Sequence, residues 1–396
     1  MPGPLEGVRV LDLTTVVMGP FATQILAELG AGVIKVESHE GDNMRDVSPM
    51  RSAHMGHLFM NLNRGKRAIV LDLKKPGGRE VILRLLPKTD VLIYNVRPSA
   101  MGRLGLSYDD VRAVNPKIIY VGAYGYSQRG PKAGQAAYDD LIQGATGLPA
   151  ISMQEGGEPR YAPLNLADRV TGLHAVYAVT AALFYRERSG KGQSVEVPMF
   201  ESFSHFVLGD HIAGMGYEPP IGATGYTRLR HRRPYATQDG YLCALVYNNK
   251  QWKSFLGAIN RLEVLEDPRF SNHAVRANHI AEVYGFLAEI FKTKTTAQWI
   301  SILEKADVPV SPMNRVEDVI TDPHHAATGF FSIEDHPTEG KIRTMRTPTG
   351  WSESPPPAVG YVPRLGEHSA QVLAELGYSE GDIRELARSG VTVCAA

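Results

Sequence analysis

Cysteine is nearly missing: the 396 residues hold two, Cys243 and Cys394. Two thiols so far apart exclude a disulfide framework and fit a reducing compartment. Net charge is missing too, since 42 Lys and Arg balance 42 Asp and Glu. That excludes nucleic acid or an anionic membrane as the main partner. No apolar run approaches the roughly 18 residues of a membrane span. The opening "MPGPLEGVRVLDL" holds no run of signal-peptide length, so a cytoplasmic protein is the expectation. Several catalytic signatures are absent as well. The turn after the first strand, "TTVVMGP" (14–20), carries one glycine where a dinucleotide site needs G-x-G-x-x-G. There is no phosphate-binding G-x-x-x-x-G-K-[ST] and no G-x-S-x-G nucleophile elbow. "DPHHAATG" (322–329) pairs two histidines without a third ligand at metal spacing, so no metal is expected.

What is present is a globular composition, 43% hydrophobic and 21% charged, at a length suited to two domains. "VRVLDL" (8–13), "GPFATQILAELG" (19–30) and "GVIKVE" (32–37) read as strand, helix, strand. "AIVLDL" (68–73), "DVLIYN" (90–95), "KIIYVGAYGY" (117–126) and "SVEVPM" (194–199) repeat the strand signature. Helices are expected between them, at 77–89, 107–116 and about 169–187. The alternation predicts an α/β fold with a mostly parallel sheet covered on both faces. A further helix is expected over 199–216. The stretch 217–240, rich in Pro, Gly and Arg, has no period and reads as a linker; 241–325 reads as a smaller α+β domain, and two helices close the chain within 363–390.

"PLNLADRVTGLHAVYA" (163–178) raises the functional question. Val170, Leu173, Val176, Tyr177, Ala181 and Phe184 recur at helical spacing, the pattern of a buried face. Asp168 sits at the mouth of that helix. Asp is among the best N-cap residues, so a cap is one reading; a carboxylate nucleophile is the other.

Separated blocks decide between them. "PLEGVRVLDLTTVVMGPFATQILAELGAGVIKVE" (4–37), "GDNMR" (41–45), "LNRGKRAIVLDLKKPGGRE" (62–80), "NVRPSAMGRLGLSYDDVRAVNPKIIYVGAYGYSQRGP" (95–131), "YDDLIQGATGL" (138–148), "LADRVTGLHA" (166–175), "ERSGKGQSVEVPM" (187–199) and "LGEHSAQVLAELGYSEGDI" (365–383) run in order along the chain. Together they resemble the family III CoA-transferases, the CaiB/BaiF-like group with the formyl-CoA and carnitine CoA-transferases. The resemblance implies a Rossmann-like large domain built from both chain ends (1–216 and 326–396), with the smaller domain inserted. It implies an interlocked homodimer, and transfer of CoA from an acyl-CoA thioester to a free carboxylic acid. No permanently bound cofactor is implied; coenzyme A enters as part of the substrate.

The resemblance makes Asp168 the nucleophile that carries an aspartyl-CoA thioester. It places Thr15, Val16 and Val17 along the CoA channel. Leu71 and Lys74 fall at the adenine and phosphate end. Asn95, Val96, Arg97, Ala100, Arg103 and Leu104 follow the strand after which open sheets bind ligands. Arg97 and Arg103 have the fork geometry for phosphate; either alone also fits a solvated surface charge. Tyr138 falls beside the CoA site, and Asp139 and Tyr126 in the acid pocket. The formyl-CoA enzymes carry a lysine two residues before that tyrosine, where this chain has Ala136, and a glycine-rich loop that has no counterpart in 217–240. This disfavours oxalate or formyl-CoA. The basic "RLRHRRPY" (228–235) offers cations to a short dicarboxylic or hydroxy acid, or is a solvated linker. Two alternatives stay open. An α-methylacyl-CoA racemase needs opposed bases, and a tyrosine with a pKa of about 10 at position 138 is a poor one. A non-catalytic CoA-binding dimer would not need Asp168.

Overall fold

A computed structural model describes residues 3–153, 158–223 and 231–395. Two compact units emerge: residues up to Gly209 together with those from Gly329 onward, and Asp210–Thr328. The sequence boundaries were set at 216, 240 and 325.

The first unit is built on six parallel strands: β1 (Arg9–Leu13), β2 (Gly32–Glu37), β3 (Arg67–Val70), β4 (Val91–Tyr94), β5 (Ile119–Tyr124) and β6 (Gln193–Pro198). Their order is β3-β2-β1-β4-β5-β6. Between them run α1 (Met18–Glu28), α2 (Pro76–Leu85), α3 (Pro98–Arg103), α4 (Tyr108–Val114), α5 (Asp139–Ala145) and α6 (Leu166–Ser189), and α7 (Met199–His211) follows β6. The central strands are apolar on both faces, as a sheet covered twice requires. Successive side chains point to opposite sides. Val10, Val91, Ile93, Ile119 and Val121 pack with α1 and α6. Leu11, Leu92, Tyr94 and Tyr120 pack with α2, α4 and the later helix α11 (Ser369–Glu375), whose Val372 and Leu373 are fully buried. Ser379 opens the last helix, α12 (Glu380–Arg388), with a capping box to Asp382.

In the second unit β7 (Tyr235–Ala236), β8 (Tyr241–Ala244) and β9 (Val310–Pro312) form a three-stranded antiparallel sheet. It packs on α8 (Asn249–Ala258), α9 (Ile280–Phe291) and α10 (Thr296–Lys305) around Trp252, Phe255, Phe291 and Trp299. Tyr235 and Ala236 were expected in the loop 217–240. They form a strand because Tyr235 buries its ring against Phe291, 4.8 Å between centroids. Residues 224–230, which hold the first part of the basic stretch, lie outside the described residues. A hairpin, β10 (Phe331–His336) and β11 (Gly340–Met345), returns the chain to the first unit. No helix among the described residues is long and apolar enough to cross a membrane.

The periodic stripe on α6 is a correction. Leu173, Tyr177 and Phe184 are 52%, 58% and 65% exposed. The buried face is made of Ala167, Thr171, Gly172, Ala175, Val179 and Ala182, joined by Val170, the one residue of the expected stripe that is buried. Small residues let α1 approach closely: a Cβ on Gly172 would stand 2.8 Å from the Met18 carbonyl oxygen. The spacing locates the helix, but which stripe is covered depends on the partner surface.

Candidate active site

In an open parallel sheet ligands bind outside the carboxyl ends of the strands where the strand order reverses. Here that point lies between β1 and β4. The loops that leave them are stitched together: the Thr15 N–H donates to Asn95 Oδ1 at 3.0 Å, and Asn95 Nδ2 donates to the Thr15 carbonyl at 2.7 Å. Beside the stitch opens a cavity of about 340 Å³, with Asp168 in its wall.

Asp168 is not the helix cap. The cap position belongs to Asn165, whose side chain makes no capping bond, and Asp168 is the third residue of α6. The first turn of a helix leaves N–H groups without helical partners. The Asp168 N–H goes instead to Asp139 Oδ1, the first residue of α5, at 2.9 Å. Gln143, one turn on, donates to Asp139 Oδ2 at 2.6 Å and accepts from the Ala162 N–H at 2.8 Å. Two side chains of α5 thus fix the start of α6.

This leaves the Asp168 carboxylate free for other work. Among the described residues no donor is bonded to it, although the residue is only 8% exposed. Burial, then the nearby Asp139 carboxylate, push its pKa from 3.8 to about 7, against the pull of Arg169. Arg169 lies over the Phe21 ring at 4.9 Å. Burial lowers its own pKa, and Asp168 partly opposes that.

Of the residues expected at the site, Thr15, Val16, Asn95, Val96, Arg97, Tyr126, Tyr138 and Asp168 line the cavity. The others lie elsewhere. Val17, at the cap position of α1, and Leu71, directly after β3 in the core beside α2, are both buried. Lys74 and Arg103 are exposed, and Ala100 and Leu104 half-buried, outside the cavity wall. The Asp139 side chain accepts from the Asp168 backbone N–H, and Asp139 does not line the cavity. Sequence reading missed Met18, Tyr124, Gln128, Gln135 and Met199, which are also part of the wall. Met18 follows β1, Tyr124 closes β5 and Gln128 and Gln135 follow it, so the same strand-end rule points to them. Gln143 was signalled by its four-residue spacing from Asp139 on one helix face.

A carboxylate whose pKa burial raises, set in a cleft at the switch point of a doubly wound sheet, is a candidate for nucleophilic group transfer. The chain belongs to CoA-transferase family III, which it matches over residues 5–369; it is a CoA-transferase. It is 33% identical to mouse succinyl-CoA:glutarate CoA-transferase, covering 98% of this chain and 90% of that one. It is 35% identical to the succinate–glutarate CoA-transferase of Agrobacterium fabrum, covering 94% and 96%. The formyl-CoA:oxalate CoA-transferase of a Bradyrhizobium strain is 30% identical over 98% and 97%. Among solved structures, a CaiB/BaiF family protein from Brucella suis superposes with a TM-score of 0.81 at 31% identity, over 95% of this chain and 100% of that one.

Proposed function

We propose that this enzyme moves CoA from a dicarboxylyl-CoA such as succinyl-CoA to a second short dicarboxylic or hydroxy acid, through an aspartyl-CoA thioester on Asp168. The observation that carries it is the Asp168 carboxylate, buried in the cavity wall with no protein donor bonded to it among the described residues. The acid class is supported by the likeness to enzymes named for succinyl-CoA and glutarate. Ala136 and Ala137 line the cavity before Tyr138, so the acid meets two methyl groups there and the amides of Gln128 and Gln135 nearby.

Four exchanges complete the reaction. An Asp168 oxygen attacks the thioester carbonyl; the C–S bond breaks, leaving an acyl-aspartyl anhydride and CoA thiolate. The thiolate attacks the aspartyl carbonyl, expelling the donor acid and forming aspartyl-CoA. The acceptor carboxylate attacks this thioester and frees the thiolate again. The thiolate then takes the acceptor's acyl group and returns Asp168 to its carboxylate form. Anhydride and thioester exchanges are each close to neutral in energy, whereas a serine ester would hold the acyl group too firmly. Arg97 at the cavity mouth suits a CoA phosphate.

A second copy of the chain is part of this reading. Leu173, Tyr177 and Phe184 of α6 leave one stripe of large apolar side chains in water. Such a face marks an interface, and the family resemblance makes its occupant another protomer.

Intact-mass spectrometry tests the chemistry. Enzyme mixed with succinyl-CoA and, separately, acetyl-CoA should carry a CoA-sized adduct, or its hydroxylamine- or borohydride-trapped product, and Asp168→Ala should not. No adduct with any donor, together with solvent deuterium entering a 2-methylacyl-CoA, would overturn the reading in favour of a racemase.

A further inference from the structure

Val16, in the cavity wall, has a backbone φ of +71°. A β-branched residue in the left-handed region is a genuine outlier. Such strain persists only where the surroundings over-determine it, and it gathers at functional sites. The surroundings here are a fully buried cluster of three carboxylates and three cations: Asp12, Glu37, Asp42, Lys35, Arg45 and Lys66. Lys66 pairs with Asp12 at 3.1 Å, Lys35 with Asp42 at 3.0 Å and Arg45 with Glu37 at 2.7 Å. Replacing buried ion pairs by apolar packing is often neutral or stabilising, so stability alone does not explain six buried charges.

The hydrogen bonds of the cluster supply a use. Three successive backbone N–H groups of the loop end on side chains. Thr14 donates to Asp12 Oδ1 at 2.9 Å, Thr15 to Asn95 Oδ1, and Val16 to Asp42 Oδ1 at 3.1 Å. Lys35 Nζ donates to the Thr14 carbonyl at 2.7 Å while holding the other Asp42 oxygen. Asp42 is itself seated by its N–H on Glu37, which Arg45 grips through two bonds.

We propose that Asp42 is a positioning residue for CoA transfer: backed by Lys35, its carboxylate holds Val16 in the left-handed conformation that shapes the thioester end of the cavity. The proposal rests on the reading that the loop after β1 lines the CoA channel.

A double-mutant cycle tests it. Glycine adopts positive φ without strain, so a glycine at position 16 should not need the clamp. Asp42→Ala should lower kcat/KM for the acyl-CoA about tenfold or more in the wild type, yet less than about threefold on a Val16→Gly background. Asp42→Asn, which keeps an oxygen for the Val16 N–H, should recover most of the loss, and KM for the free acid should not move. An equal loss on both backgrounds would overturn the proposal. If Asp42→Ala does not fold, the cycle is run with Lys35→Met/Asp42→Ala, which leaves no buried charge unpaired. Calorimetric binding of CoA to Arg97→Ala separates the two readings. If Arg97→Ala weakens CoA binding while the cycle is additive, the Asp42 proposal alone falls. If neither Arg97→Ala nor the Asp42 series changes CoA binding, the site reading falls with it.

Discussion

The backbone N–H of Asp168 donates to the side chain of Asp139, so one carboxylate positions the residue that carries the other. The bond measures 2.9 Å and joins the starts of α5 and α6. It orients α6 so that the Asp168 side chain faces the cavity. It also brings a second negative charge near the first, and like charge disfavours ionisation.

The pH profile should report this pair. As the proposed nucleophile Asp168 must be ionised, and burial first and Asp139 second raise its pKa to about 7. kcat/KM for the acyl-CoA should therefore rise with pH through about 7. Asp139→Asn keeps an oxygen for the Asp168 N–H and removes the charge. Its midpoint should move toward the ordinary carboxylate range without reaching it, since burial remains. A steady-state pH series checks this, and an unmoved midpoint would show that Asp139 acts only through its hydrogen bond.

The same shift has a cost in stability. The folded protein holds the Asp168 proton more tightly than the unfolded chain, whose carboxylate titrates near 3.8. Stability from this group is complete below about pH 4 and is lost as pH rises to about 7. Asp168→Asn removes the titration. Relative to its difference from wild type at pH 4, it should gain up to about 4 kcal/mol by pH 8, with no further change above that. Denaturant melts of both proteins across pH measure the difference; a pH-independent offset would contradict the buried charge.

The exposed stripe of α6 predicts an assembly. Tyr177→Lys and Phe184→Glu place charge where a second copy is proposed to pack. Light scattering behind size exclusion should show the wild type as a dimer and the double variant shifted toward monomer. A monomeric wild type at micromolar concentration would remove the occupant assigned to this face.

Much of this was legible beforehand. Strand and helix alternation gives the sheet; a lone Asp at a helix start is a cap or a nucleophile, and only the family resemblance singles out Asp168 as the candidate nucleophile. Positions that read as strand ends were harder. Thr15 and Asn95 line the cavity, whereas Val17, of the same block as Thr15, and Leu71 are buried in the core. Val17 sits at the cap position of α1 and Leu71 directly after β3, so the local turn of the backbone decides the direction, and sequence blocks do not carry it. The α6 stripe misled for a related reason. Large apolar residues at helical spacing show that a face is covered, and a core within the chain is only one cover. Helix α6 meets its own core with alanine, glycine and valine.

That close approach leads to the last prediction, Gly172→Ala. Alanine favours a helix over glycine by about 1 kcal/mol, so the change would stabilise an isolated helix. Here the new Cβ would meet the Met18 carbonyl oxygen at 2.8 Å and a Phe21 ring carbon at 2.9 Å. A backbone oxygen within α1 cannot swing aside, so α1 must move from α6 at an overpacking cost of about 1–3 kcal/mol. The two helices also carry the two sides of the cavity, Val16 and Met18 before and within α1 and Asp168 one turn above Gly172. The variant should therefore melt lower and lose kcat together. Gly285→Ala in α9 is the control, because a Cβ there meets nothing within 4 Å; it should melt higher by up to about 1 kcal/mol in stability, with kcat unchanged. If Gly172→Ala behaved like Gly285→Ala, the spacing between α1 and α6 would not be what aligns the loop after β1 with Asp168.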